Sequence, residues 1–245
     1  MMSDTPVVIL AGGYGTRLSE YTHKIPKPLV KANNKPLIWY IMKHYSKYGF
    51  NNFIICLGYK GKYIKDYFDK LFSNKKLKKA NKWNVKLVDT GINSLTGTRL
   101  KKIQKEIKTD YFLLTYGDGI SKINLRKLIQ FHIKSKKVIT FTAVRPPARF
   151  GEVKFIPNSN EIKSFKEKNN IDAGWINGGF FVINKEFFKL IPSRDVMLEK
   201  FPMEKALRVK KLGAFKFNGF WHCIDSKRDL DKFNELIKTK KFIIA

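Results

Sequence analysis

Cysteine is almost missing from this sequence. Only Cys56 and Cys223 occur in 245 residues, each inside an apolar run (FIICLG and FWHCID), so a disulfide framework is excluded and buried thiols are the expectation. Acidic residues are also scarce, with 20 Asp+Glu against 49 Lys+Arg and a formal charge of +29. Arginine is scarcer still. Only 8 of the 49 basic residues are Arg and 41 are Lys, whereas base reading and bidentate phosphate recognition favour the planar guanidinium. Lysine is spread over every expected helix surface, so no nucleic-acid partner is expected; a positive field that concentrates small polyanionic substrates remains compatible with the charge. No apolar run approaches the roughly 18 residues of a membrane span. The opening MMSDTPVVILAGG carries Asp4 and no basic leader, so no membrane partner and a cytoplasmic location are expected. No repeat, low-complexity stretch or Ser/Pro-rich linker marks a boundary, which leaves residues 1–245 as one domain.

What is present is core material: 43% hydrophobic and 14% aromatic residues, ample for autonomous folding. Apolar runs of strand length occur at Val7 to Leu10, Phe53 to Leu57, Val85 to Val88, Tyr111 to Thr115 and Val138 to Val144. Between them lie stretches of helical period. Pro36 to Gly49 puts Leu37, Ile38, Ile41, Met42 and Tyr45 on one stripe, Lys62 to Leu71 follows suit, and Asn124 to Ser135 begins on a capping Asn. Repeated strand, helix, strand units predict an α/β protein whose mixed, mostly parallel sheet is sandwiched by helices.

The second half has a different texture. RFGEVKFIPNSNEIKSFKEK predicts a hairpin about Pro-Asn-Ser-Asn, followed by a strand through WINGGFFVIN. Short helices near 186–190 and 203–210, a strand near 214–217 and a closing helix after Asp225 complete the expectation. The lysine-rich stretch Asn74 to Lys82 has no periodicity and reads as an exposed loop. His44 and His132 lie in helical patterns and read as surface imidazoles, and the four histidines form no metal-ligand spacing.

Directly after the first strand comes LAGGYGTRLSEYTHKIPKPLV. Gly12, Gly13 and Gly15 at the carboxyl end of a parallel strand let the backbone approach a ligand closely and turn N–H groups toward phosphate, while Arg17 and Lys27 supply charge. The Lys-Ser/Thr of a P-loop is missing, and so is the G-x-G-x-x-G of a dinucleotide site. Asp118 follows the apolar strand of LLTYGDG and Asp225 that of FWHCIDS, which puts two carboxylates at sheet edges. Taken alone, Asp118 between two glycines reads equally as a turn residue.

The segments Gly13-Tyr14-Gly15-Thr16-Arg17 and Pro26-Lys27-Pro28 resemble the G-x-G-T-R and P-K-P signature of the sugar-1-phosphate nucleotidyltransferase family. The resemblance continues, in order, through KPLIWYIMKHYSKYG, FIICLGYKGKYIKDYF, WNVKLVDTG, TGTRLKK, FLLTYGDG, RFGEV, INGGFFV and FWHCIDS. It implies a Rossmann-like fold with a nucleotide-binding half (about 1–145) and a sugar-phosphate-binding half (about 146–245). It further implies that Leu10, Ala11, Gly12, Gly13, Tyr14, Gly15, Thr16, Arg17, Lys27 and Gly117 hold the nucleotide, with Arg17, Lys27 and Asp118 as the catalytic set. Asp118 and Asp225 would hold Mg²⁺.

By the same resemblance Ser94, Thr96 and Arg99 belong to the nucleotide pocket, where cytosine calls for a donor such as a guanidinium. Glu167 and Lys168 resemble the F-x-E-K-P stretch that grips sugar phosphate, with Asn169 in place of the proline, and Asn177, Gly178 and Gly179 would face sugar hydroxyls. The members most alike in these segments join CTP to glucose 1-phosphate, so those are the implied substrates, and a homo-oligomer is the implied assembly. Two alternatives stay open: a nucleotidyltransferase for another nucleotide or phosphorylated substrate, and a non-catalytic basic protein that binds nucleic acid, against which the Asp118 and Asp225 pair argues.

Overall fold

A computed structural model describes residues 4–146, 151–166 and 174–243. In chain order, β1 (Val7–Leu10) leads through the glycine loop to α1 (Ser19–Thr22), and the small ribbon β2 (Lys31–Ala32) and β3 (Lys35–Pro36) leads to α2 (Leu37–Lys47). Next come β4 (Asn52–Leu57), α3 (Gly61–Ser73), α4 (Lys75–Asn81), β5 (Asn84–Asp89), α5 (Thr96–Lys102), β6 (Tyr111–Tyr116) and β7 (Gly119–Ser121). Then follow α6 (Leu125–Ser135), β8 (Ile139–Val144), the hairpin β9 (Glu152–Phe155) and β10 (Ile162–Lys166), β11 (Ile176–Asn177) and β12 (Phe181–Asn184). The chain closes with α7 (Phe201–Arg208), β13 (Leu212–Phe217), β14 (Trp221–Cys223) and α8 (Lys227–Lys238).

The central sheet runs in the order β11-β8-β12-β6-β1-β4-β5, with β13 added against β8. β1 pairs in parallel with both β4 and β6, whereas β12 runs antiparallel to β6 and β8, so the sheet is mixed and mostly parallel as its alternating pattern predicts. Successive residues of β1 face opposite sides. Val7 and Ile9 enter a core covered by α2, α3, α6 and α8, and Val8 and Leu10 enter a second core covered by α5, α7 and the turn 185–190. Both faces of the sheet are therefore dry, and the chemistry is left to its carboxyl edge.

Three expectations are corrected. The lysine-rich stretch is not a loop but the helix α4, because Asn74 caps it by accepting from Leu77 N at 3.1 Å and Lys82 closes it in the left-handed region at φ 52°. The strand expected through WINGGFFVIN is broken into β11 and β12. Between Asn177↔Ala143 and Val182↔Thr140, five steps on one strand oppose three on the other, and Gly179 (φ 75°) and Phe180 (φ 49°) take the bulge. His132 is not on the surface: it is 2% exposed, with its ring nitrogens 2.8 Å from Thr140 Oγ1 and 2.9 Å from Asn184 Oδ1. His44 is half-buried against Tyr45, Tyr48 and Phe180. Among the described residues no helix is long and apolar enough to cross a membrane.

Candidate active site

Two carboxylates 107 positions apart are brought together by a three-residue ribbon. β7 pairs antiparallel with β14 so that Cys223 faces Gly119 and His222 faces Ile120. That register sets Asp118 beside the exit of β14, where Ile224 N donates to Asp118 O at 3.1 Å, and Asp225 follows one residue later. Asp225 is in turn fixed by what comes after it. Ser226 and Asp229 form a capping box at the start of α8, and Asp225 N donates to Asp229 Oδ2 at 3.2 Å.

Lys27 lies between the two acids. Its Nζ donates to Asp118 Oδ2 at 2.6 Å and to Asp225 Oδ1 at 2.6 Å. Pro26 and Pro28 hold the flanking backbone, and the Pro28 ring passes so close to Gly117 that a Cβ there would lie 2.8 Å from Pro28 Cγ. Lys27 is only 7% exposed. Burial works against its charge, but Asp118 and Asp225 outweigh burial and raise its pKa. Burial likewise opposes the Asp225 carboxylate, and Lys27 and Arg17 overcome it, so Asp225 titrates below its ordinary value. Arg17 NH1 reaches Asp225 Oδ2 at 2.7 Å from a side chain that is 72% exposed. Such a pair is weakly held, and the guanidinium is free to turn to a ligand.

Cys223 completes this corner. Burial, and after it the neighbouring Asp118 and Asp225 carboxylates, push the Cys223 thiol well above its ordinary pKa, so it stays protonated. Ligand atoms of Asp118, Cys223 and Asp225 all lie within 4.8 Å of one another. The donor set fits Mg²⁺: two carboxylates supply hard oxygen, the neutral thiol is no competitor, and the remaining positions suit phosphate oxygens and water.

The glycine loop opens into the same space. Gly15 has φ 68°, a conformation that favours glycine, and Tyr14 OH donates to Asn93 Oδ1 at 2.6 Å, so the loop reaches across to residues 92–96. Beneath it lies Arg99, 4% exposed. Its NH2 donates to Gly12 O at 2.9 Å and Ile92 O at 3.1 Å, and its NH1 donates to Leu57 O, Thr90 Oγ1 and Gly91 O at 2.7–2.9 Å. In this arrangement Arg99 is a brace tying three loop segments together, with both terminal nitrogens engaged. A Cβ on Gly12 would sit 2.3 Å from Arg99 NH1, so glycine is required there. Ser94 Oγ donates to Thr90 O at 2.5 Å, and Thr96 Oγ1 donates to Glu199 Oε2 at 2.8 Å.

These groups line a cavity of about 1080 Å³, at the upper end of small-molecule sites and roomy enough for two ligands. Its walls include the residues expected for the nucleotide, from Leu10, Ala11, Gly13 and Thr16 through Ser94, Thr96 and Gly117, together with Asn177 and Gly178. Gly179 is not part of the wall; its N–H donates to Asn177 Oδ1 at 2.9 Å, so its contribution is to the bulge. Glu167 and Lys168 lie outside the described residues.

Sequence reasoning missed Tyr116 and Glu199. Tyr116 OH donates to Glu199 Oε1 and accepts from Asn177 Nδ2 at 3.3 Å, so Glu199 links Thr96 on one wall to Asn177 on the other. Burial and then Glu199 push the Tyr116 phenol well above its ordinary pKa. A single Glu in VMLEKF carries no spacing signal that would have flagged it. Arg228 and Lys232, on the first turns of α8, also reach the cavity.

Residues 6–240 match the nucleotidyl transferase family. The chain belongs to the nucleotidyl transferase family. Within that family it is 43% identical over 237 residues to glucose-1-phosphate cytidylyltransferase of Salmonella typhimurium, covering 91% of each chain. It is 37% identical over 243 residues to a probable glucose-1-phosphate cytidylyltransferase of Bacillus subtilis, with 94% of each covered. Among solved structures, HddC from Yersinia pseudotuberculosis superposes with a TM-score of 0.71 at 25% identity, covering 95% of this chain and 99% of that one. The nucleotidyl transferase fold thus extends over the whole sheet.

Proposed function

We propose that this chain transfers the cytidylyl group of CTP to glucose 1-phosphate, giving CDP-glucose and pyrophosphate, with Mg²⁺ held by Asp118 and Asp225. The observation that carries the reading is the Lys27 ammonium gripped by Asp118 and Asp225 on the cavity wall. The 43% identity to a glucose-1-phosphate cytidylyltransferase supports this choice of substrates.

The nucleophile, a phosphate oxygen of the sugar 1-phosphate, is already ionised at neutral pH and needs no general base. The task is to bring two polyanions into line, so the chain's contribution is positioning and charge neutralisation. Bound between the carboxylates, the metal would supply Lewis-acid stabilisation of phosphoryl charge. Lys27 is presented by its prolines in one direction and donates to phosphate oxygen when released from the acids. Arg17 is the mobile partner, able to leave Asp225 for the triphosphate. The loop braced by Arg99 offers main-chain donors to the same groups. Lys168 is assigned to the sugar phosphate on its sequence segment alone.

The test is incubation of the purified chain and Mg²⁺ with glucose 1-phosphate and each of the four nucleoside triphosphates, followed by chromatographic identification of the nucleotide sugar. CDP-glucose from CTP is expected. A different nucleotide sugar, or none while pyrophosphate stays at background, sinks the reading.

A further inference from the structure

The metal corner contains one group that a Mg²⁺ site does not call for. Cys223 lies on β14 opposite Gly119, two residues before Asp225. Its Sγ and one oxygen from each of Asp118 and Asp225 fall within 4.8 Å of one another. A tetrahedral Zn²⁺ with bonds of about 2.0–2.3 Å needs these atoms to draw together by at most about 1.5 Å. Asp118 and Cys223 are fixed by the register of one ribbon, and Asp225 by the α8 capping box, so the set is preorganised. Thiolate prefers soft cations, whereas Mg²⁺ gains nothing from it.

We propose that Asp118, Cys223 and Asp225 form a three-ligand site for a soft divalent cation, Zn²⁺ or Cd²⁺, whose occupation excludes Mg²⁺ and arrests catalysis. The cavity leaves the fourth position to water or a phosphate oxygen. On ligation the S–H bond is replaced by an S–metal bond and its proton passes to solvent, while the incoming dication displaces the Lys27 ammonium from between the carboxylates. The arrest rests on the function proposed above; the ligation does not.

The full chain in chelator-treated buffer is titrated with CdCl₂ while the ultraviolet thiolate-to-cadmium charge-transfer band is recorded. The band is expected to saturate near one equivalent, to persist in Cys56→Ala, whose thiol is fully buried away from the site, and to vanish in Cys223→Ser and Cys223→Ala. Circular dichroism melts identify which Cys223 variant is folded and is scored. In Asp225→Asn, which keeps the thiol, half-saturation should rise at least about tenfold, because even outer-shell partners account for that much metal affinity. No band in the native chain, a band that survives loss of Cys223, or an unmoved Asp225→Asn curve overturns the site.

For the arrest, Zn²⁺ is titrated into the Mg²⁺-supported reaction, each protein scaled to its own uninhibited rate. The Cys223 variant should need at least about tenfold more Zn²⁺, and equal sensitivity overturns the arrest. A chain that shows the cadmium band but makes no nucleotide sugar with Mg²⁺ defeats the proposed reaction and leaves the site standing.

Discussion

Arg99 NH2 donates to the carbonyl oxygen of Gly12 at 2.9 Å, from a helix 87 residues further along the chain. Through this bond and its four companions, one buried guanidinium sets the distance between the glycine loop and residues 90–92. Arg99→Met keeps the stem and removes every donor. Stranded buried acceptors cost about 1–3 kcal/mol each, so the variant should lose at least about 2 kcal/mol of stability by urea denaturation and bind nucleotide more weakly by calorimetry. An unchanged urea midpoint would count against the brace.

Lys27 and Asp118 are separable by experiment. Asp118→Asn should reduce kcat by at least about 10²-fold, on the scale of losing one electrostatic catalyst, while the circular dichroism spectrum stays native. Lys27→Ala should lose a similar factor and, by leaving two acids face to face, also lower the melting temperature. Near-normal turnover in either variant refutes the catalytic role.

Acid should unfold the protein in two stages of different origin. His44, driven by burial to a pKa of about 4 from an ordinary 6.5, stays neutral in the fold and charges in the unfolded chain. The unfolded state therefore binds more protons between those values, and stability falls as pH drops from about 6.5 to about 4, by on the order of 2–4 kcal/mol. Asp225 has the opposite shift, a lowered folded pKa. Its contribution is complete above the ordinary Asp value of about 3.9 and is lost as pH falls through the folded value. Urea midpoints measured against pH should thus fall less steeply between pH 6.5 and 4 in His44→Leu, the buried His132, whose pKa burial also lowers, keeping part of the slope, and should keep the lower limb, while Lys27→Met should weaken only the lower limb.

Glu199→Gln probes the link across the cavity. It removes the charge that holds Tyr116 and Thr96 while preserving shape, so KM for both substrates should rise several-fold, with a smaller change in kcat and little change in urea midpoint. A loss confined to stability would make Glu199 a purely structural residue.

Much of the architecture was readable because apolar runs of strand length alternate with 3.6-period stretches, and β1, β4, β5, β6 and β8 lie where those runs lie. The acids and Lys27 could be picked out because each follows a strand or sits between prolines, local features that survive without tertiary context. The Gly178 to Phe180 bulge could not, since a positive φ at Phe180 is imposed by the neighbouring strands. Helix α4 was hidden because its stability comes from caps and has no apolar stripe to reveal it. His132 looked like a surface residue until Thr140 and Asn184, distant in sequence, supplied its partners. Arg99 was rightly singled out as unusual among so many lysines. What its geometry adds is that its donors are spent on four main-chain oxygens and one threonine hydroxyl of the protein itself.

The three-residue pairing of β7 with β14 closes a loop of about a hundred residues at its neck. Within it the β9–β10 hairpin is an interval that pairs with no strand of the central sheet, so it can lengthen, shorten or change its contacts without disturbing the two acids at the clasp. Descendants of such a chain could change the sugar they accept by rewriting that interval alone, while the bond-making corner passes unaltered from one to the next.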